Sequence, residues 1–250
     1  MSQFTLYREP VVLDYVLHRH LKLGRHVDHT IASGMHACYL AAAEFAAAAH
    51  DYVIVFVRDL VDGKPLLQPI VILGVLAGEN LYVGAAPGAP WDARYVPAYI
   101  RRYPFWVTNL EGFEAPAMMI DRWWKGFSDT EGDPLYDGDN KPAQRLIEAI
   151  AYTEEFQREV ERTQDLCKRI DELDLLREMS ANVTLPDGKT ISLDGFLTID
   201  TDKLQALPDA QVIELHRSGA LGLLHAHLTS LGNLQGLTDR KARRMTGTAH

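Results

Sequence analysis

From Val11 to Leu23 the chain alternates. Val11, Leu13, Tyr15, Leu17, Leu21 and Leu23 fall on one face, and Asp14, His18, His20 and Lys22 on the other. A period of two predicts one or two strands with a buried face. Residues 25–34 read as a loop. Residues 40–50, LAAAEFAAAAH, are rich in alanine and predict a helix. Three apolar runs follow, at 52–59, 67–76 and 81–84, separated by the turn-forming stretches 61–65 and 78–80. They predict an antiparallel meander buried on at least one face. Residues 95–109 carry aromatic and arginine side chains and read as a core strand with a few outward residues. Residues 115–122 read as another strand.

The pattern changes after residues 128–142, a loop rich in Gly, Asp and Pro. Ile150, Phe156, Val160, Leu166, Ile170 and Leu173 recur at helical spacing, with Glu154–Arg158 and Asp165–Arg169 four apart on the polar face. Pro142 suits a first helical turn. The spacing predicts an amphipathic helix ending near Leu176, roughly 50 Å long. A helix that outruns its own domain offers a surface for a homo-oligomer. Residues 181–200 predict a hairpin around Pro186–Asp187–Gly188–Lys189. Short helices follow, with Asp200 or Thr201 and Asp209 as N-caps, and a break at Ser218–Gly219. The basic tail from residue 238 onward reads as disordered. The fold class is α+β, with a mainly antiparallel sheet in the N-terminal part. The C-terminal part has a long amphipathic helix plus a hairpin and packing helices. The expected division is a β-rich part at 1–127, a loop at 128–141 and a helical part with a hairpin at 142–250, or all of these in one integrated domain.

The net charge of −9 argues against generic nucleic-acid binding, which rests on many Lys and Arg contacts to phosphate. No apolar run reaches the ~18 residues a membrane span needs. The first twenty residues lack a basic stretch followed by an apolar one, so no Sec leader is expected. The expected location is cytoplasmic, the alternative being export to the cell surface by a route independent of a signal peptide. Cys38 and Cys167 form no CxxC pair and read as buried thiols.

Nucleotide-fold and nucleophile-elbow motifs are absent: there is no GxxxxGK[ST], no GxGxxG after a strand and no GxSxG. His18 and His20 share a face of the expected strand, and His26, Asp28 and His29 follow. His26-Val27-Asp28 has the His-x-Asp form of a non-haem iron site. No cofactor is predicted; the alternative is iron or zinc held by His18, His20, His26 and Asp28. His225 and His227 lie two apart on a predicted helix and point about 200° apart, so they do not chelate one ion. Glu131, Asp133, Asp137 and Asp139 lack the bidentate Glu of a calcium loop and read as solvated acids. The ligand-binding candidates are Trp91, Tyr95, Arg101, Arg102 and Trp106. Arginine forks suit carboxylate or phosphate, and neighbouring aromatics suit stacking. The competing reading makes this stretch core, with Arg101 or Arg102 paired to an acid such as Asp92.

Five blocks carry a resemblance. DYVIVFVRD (51–59), VILGVLAGENLYV (71–83), WDARYVPAYIRRYPF (91–105), VTLPDGKTISLDGF (183–196) and ELHRSGALGLLHAHLTSLGNLQGL (214–237) resemble the bacterial SapC-like family in this order. The likeness runs from about Phe4 to Leu237. It implies an association with the surface layer or cell surface. Members are often encoded beside TonB-dependent outer-membrane receptors, flavin-dependent halogenase-like proteins and cupin-like proteins. It brings no catalytic residues. A peptide-transporter permease of the same name is a different protein, since this chain has no spanning segment. The resulting expectation is an accessory protein that binds a peptide or protein of a surface system. The alternatives are a metal-dependent modifying enzyme of that system and a structural surface-layer component.

Overall fold

A computed structural model describes residues 6–24, 28–61, 63–84, 88–110, 112, 116–185 and 187–247. The strands are β1 (Pro10–Val12), β2 (Lys22–Leu23), β3 (Ala37–Tyr39), β4 (Val53–Val61), β5 (Lys64–Ile72), β6 (Phe105–Thr108), β7 (Ala117–Asp121), β8 (Phe127–Ser128), β9 (Asp133–Pro134), β10 (Leu176–Thr184) and β11 (Thr190–Ile199). The helices are α1 (Tyr15–His18), α2 (Phe45–Ala48), α3 (Ala98–Arg101), α4 (Gln144–Glu172), α5 (Thr201–Gln205), α6 (Asp209–Arg217), α7 (Ala220–Ser230) and α8 (Leu234–Thr246). The fold is α+β.

The principal sheet is antiparallel with the order β10-β11-β4-β5-β3. β4 and β5 form its centre because their apolar runs pair in register from Val53–Ile72 to Val61–Lys64. Gly63, at φ +74°, takes the left-handed conformation in their turn. Val53, Ile54, Val55 and Phe56 are all buried, so β4 is covered on both faces. α7 packs against β4 and α4 against β5. The β10–β11 hairpin joins this sheet from beyond the 128–141 loop, and one core cluster runs from Leu6 to Leu237. A smaller sheet, β1-β7-β6, stands beside α4. Leu23, Phe105, Ile120, Leu135 and Leu146 form a second core cluster there.

Several expectations are corrected. The stretch from Val11 to Leu23 holds two short strands, β1 and β2, but no continuous alternating face: β1 stops at Val12, and Asp14 caps α1 by accepting the Leu17 amide at 2.9 Å. An N-cap carboxylate stabilises a helical turn locally, and the alternation loses to it. Val16 and Leu17 are therefore exposed. Residues 81–84 contribute a single bridge, Val83–Trp91, and the edge next to β5 is taken by β3. Residues 95–109 are no continuous strand but α3, a cis Tyr103–Pro104 peptide and then β6. The N-cap before Asp209 is Pro208. The basic tail is helical to Thr246. Lys241 is buried against Glu79 at 2.7 Å, and Arg244 donates to the carbonyls of Asn80 and Val83.

α4 spans 29 residues, roughly 44 Å. It buries Leu146, Phe156, Leu166 and Ile170 along its whole length against its own chain. It does not outrun its domain, so its length gives no reason for self-association. Asp200 caps α5 through the Asp202 and Lys203 amides, and α6 and α7 part at Gly219, φ +80°.

Candidate functional site

Two clefts flank α4 and share one wall residue, Arg102. The first, about 300 Å³, lies between α4 and β5 and includes Tyr39, Tyr99, Phe156 and Gln157. The second, about 330 Å³, lies between α4 and the α3–β6 connection and includes Arg101, Arg145, Tyr152 and Trp124.

α3 is held in place by an acid from far along the chain. Glu44, the one charged residue in the alanine-rich run, is buried. Its Oε1 accepts the Ala98 amide at 2.6 Å and the Tyr95 hydroxyl at 2.7 Å, and its Oε2 accepts the Ala41 amide at 2.9 Å. Burial pushes its carboxyl above the usual range, and these hydrogen bonds oppose the shift. Arg101 extends the network: its Nη2 donates to Tyr95 Oη at 2.7 Å and its Nε to the Val96 carbonyl at 2.8 Å.

Arg102 is different. Its guanidinium lies 4.5 Å from the Tyr99 ring, 4.6 Å from Phe156 and 5.8 Å from Tyr7. Among the described residues no carboxylate pairs with it, and its Nε is buried without a hydrogen bond. The Tyr7 and Tyr99 phenols are polar neighbours whose ionisation burial disfavours, so both remain neutral. Two further buried oxygens lack hydrogen bonds, Tyr39 Oη in the first cleft and Tyr152 Oη in the second. Buried polar groups are ordinarily paired, so three unpaired ones along two adjoining clefts mark a place for a ligand.

The second cleft carries three arginines against Asp28, Glu148 and His29. Arg145 pairs with Glu148 at 3.3 Å and with Asp133 at 3.5 Å. Burial tends to raise the Asp28 carboxyl, but hydrogen bonds from Thr30 outweigh it and hold it low. Burial lowers the His29 imidazole. The arrangement suits binding an anion beside aromatic walls.

The SapC family model matches residues 13–237. The chain belongs to the SapC family. No curated protein and no solved structure matches it. No helix among the described residues is long and apolar enough to cross a membrane.

In this SapC chain only part of the expected site comes together. Arg101 and Arg102 meet at the second cleft, and Tyr95 supports Arg101 from behind. Trp91 is buried, donates its Nε1 to Tyr52 Oη and lines a separate cleft with Arg240 and Arg244. Trp106 packs on Tyr7, with ring centroids 4.0 Å apart, and lines neither arginine cleft. Asp92 pairs with Arg240 rather than with Arg101 or Arg102.

The histidines do not share a strand face. His18 ends α1, buried, with Nδ1 3.0 Å from the Asp14 amide. Burial lowers its imidazole. His20 is exposed, 3.5 Å from Asp129. Asp28 caps the turn at His29–Ala32, and His26 lies outside the described residues. Among the described residues no three His, Cys, Asp or Glu side chains are grouped to hold a metal ion. Asp137 accepts the Asp139 and Lys141 amides, each at 2.9 Å, as a loop acid does. His227 faces inward and His225 outward, as helical spacing requires. Both cysteines are free and buried, and burial pushes the Cys167 thiol up to about 12.

Glu44, Tyr39, Arg145, Tyr152 and Phe156 were not legible as site residues from the sequence. Glu44 had a signal, a lone acid among alanines. Arg145, Tyr152 and Phe156 had another, since spacings of seven and four put them on one helix face.

Proposed function

We propose that this SapC-family protein binds an acidic segment of a peptide or protein partner at the second cleft. It acts as a soluble accessory, in the cytoplasm, to a bacterial cell-surface system. One observation carries the reading: in a chain of net charge −9, three arginines line one cleft, and among the described residues only Arg145 of the three pairs with a carboxylate. A partly buried guanidinium without a counter-ion favours an incoming acid. The link to a surface system rests on the family resemblance.

The test compares the chain with an Arg101→Ala/Arg102→Ala variant and with Ala149→Phe, which fills the second cleft from a half-buried helix position. Proteins captured from the native host by the tagged chain are identified by quantitative mass spectrometry. The acidic segment of any captured partner is then titrated by calorimetry. The expected result is at least ~100-fold weaker binding for the double variant, from two charge-assisted contacts. Binding by the parent chain should also weaken with salt. Unchanged affinity in both variants would remove this cleft from the function.

A further inference from the structure

The first cleft has a composition of its own. Its walls are largely apolar, from Val57, Leu66 and Ile70 on the sheet to Phe156 and Val160 on α4. Arg102 closes one side, and Tyr39 and Phe156 meet edge-to-face with centroids 6.0 Å apart. Gln68 lines the sheet side and Gln157 and Gln164 the helix side, and Tyr39 Oη is buried without a hydrogen bond. The neighbouring Thr163 hydroxyl donates to the Glu159 carbonyl and accepts the Ala42 amide, and it lies near enough to influence the Tyr39 phenol without completing a hydrogen bond to it. Burial keeps the Tyr39 phenol protonated, so it is a donor. One acid, Asp59, also lines the cleft, and its Oδ1 accepts the Leu60 amide.

An apolar pocket of this size with a few convergent donors is the usual form of a small-ligand site. Here the donors are a cation without a carboxylate and a phenol without an acceptor. We infer that the first cleft binds a carboxylate carried on an apolar body, with Arg102 and Tyr39 donating to the carboxylate. Phe156 and Val160 contact the body. This goes beyond the acidic-partner reading, because it requires Arg102 and Tyr39 but neither Arg101 nor Arg145. The carboxylate has two possible sources, a free organic acid or the C-terminus of a peptide chain.

The experiment uses the full chain and calorimetric titration with four probes. These are 3-phenylpropionate, its amide, the tripeptide acetyl-Ala-Ala-Phe as the free acid, and the same tripeptide as the amide. The expected result is that at least one acid binds at least tenfold more tightly than its amide. Binding of 3-phenylpropionate alone identifies a free acid, and binding of the tripeptide acid identifies a chain terminus. Val160→Phe, at a half-buried position on α4, should abolish that binding, and Arg102→Gln should weaken it at least tenfold. Tyr39→Phe supplies a milder variant should Arg102→Gln fail to fold, with an expected loss of several-fold. Ala149→Phe blocks only the second cleft and should leave acid binding unchanged, so failure of this inference is distinguishable from failure of the acidic-partner reading. The inference is overturned if neither acid binds, if acid and amide bind alike, or if Val160→Phe leaves binding intact.

Discussion

His227 should give the protein a measurable sensitivity to acid. The imidazole is fully buried on α7, with its ring 5.0 Å from Phe56. The Ile199 amide can only donate, and it points at Nε2 from 3.2 Å, with Thr198 Oγ1 2.9 Å from the same nitrogen. Nε2 is therefore the acceptor, and the single proton sits on Nδ1. A second proton would have to enter Nε2, where it faces the Ile199 N–H. Burial lowers the group from 6.5 to about 4, against a weaker opposing effect of the Ile54 backbone. The folded value lies below the unfolded one, so the unfolded chain takes up the proton first. The stability this neutral histidine contributes is full above about pH 6.5 and is lost as pH falls toward 4. The total is about 3 kcal/mol, an appreciable part of the ~5–15 kcal/mol that holds a domain folded. The assay is urea unfolding between pH 7.5 and 4.5, for the parent and for His227→Gln. Other groups titrate in both, so the readout is the difference between the two curves. The parent should lose stability relative to the variant as pH falls. Parallel curves would refute the assignment of a depressed, buried imidazole.

Three further expectations follow from buried polar groups. Glu44→Ala leaves the Ala41 and Ala98 amides without their acceptor and should cost about 3 kcal/mol in urea unfolding; a cost below about 1 kcal/mol would mean that α3 is held by packing alone. Glu44→Gln should also change the pH profile with the opposite sign to His227, because a raised carboxyl contributes stability that is present below its unfolded value and lost as pH rises through its folded one. Lys241→Met strands Glu79, which already accepts the Val75 and Leu76 amides, and should cost about 3 kcal/mol. Removal of α8 with no loss of stability would restore the disordered-tail expectation.

The elements legible in the sequence are those whose pattern is long and self-sufficient. β4 and β5 carry the apolar runs Val53–Val57 and Pro69–Ile72 with a glycine turn between the strands, and α4 repeats its apolar stripe for many turns. Such segments specify their own conformation whatever they pack against. The failures share a different cause, a partner distant in sequence. Ala98 begins a helical turn because Glu44, 54 residues earlier, accepts its amide. Arg244 and Lys241 are ordered because Asn80, Val83 and Glu79 supply acceptors. A basic run reads as solvated unless those acceptors are known. The same limit applied to the site. Proximity in sequence grouped Trp91 and Trp106 with the arginines, whereas the clefts are completed by α4, more than forty residues on.

Arg101 and Arg102 are adjacent and chemically identical, yet the structure gives them different roles. Arg101 has its Nε and Nη2 committed, to Val96 O and to the Tyr95 hydroxyl that Glu44 holds. Part of any effect of its removal is therefore structural, transmitted through the network that fixes α3. Among the described residues neither arginine pairs with a carboxylate, but Arg102 alone has its Nε buried without a hydrogen bond and lies among rings that tolerate a cation without neutralising it. Removing Arg102 should therefore act on anion binding alone, whereas removing Arg101 also acts on the α3 network. The single variants, measured for both stability and binding, separate these roles: Arg101→Ala should lose both together, and Arg102→Ala should lose binding while keeping stability. An Arg102→Ala variant that unfolds as easily as Glu44→Ala would make Arg102 a second structural member of that network.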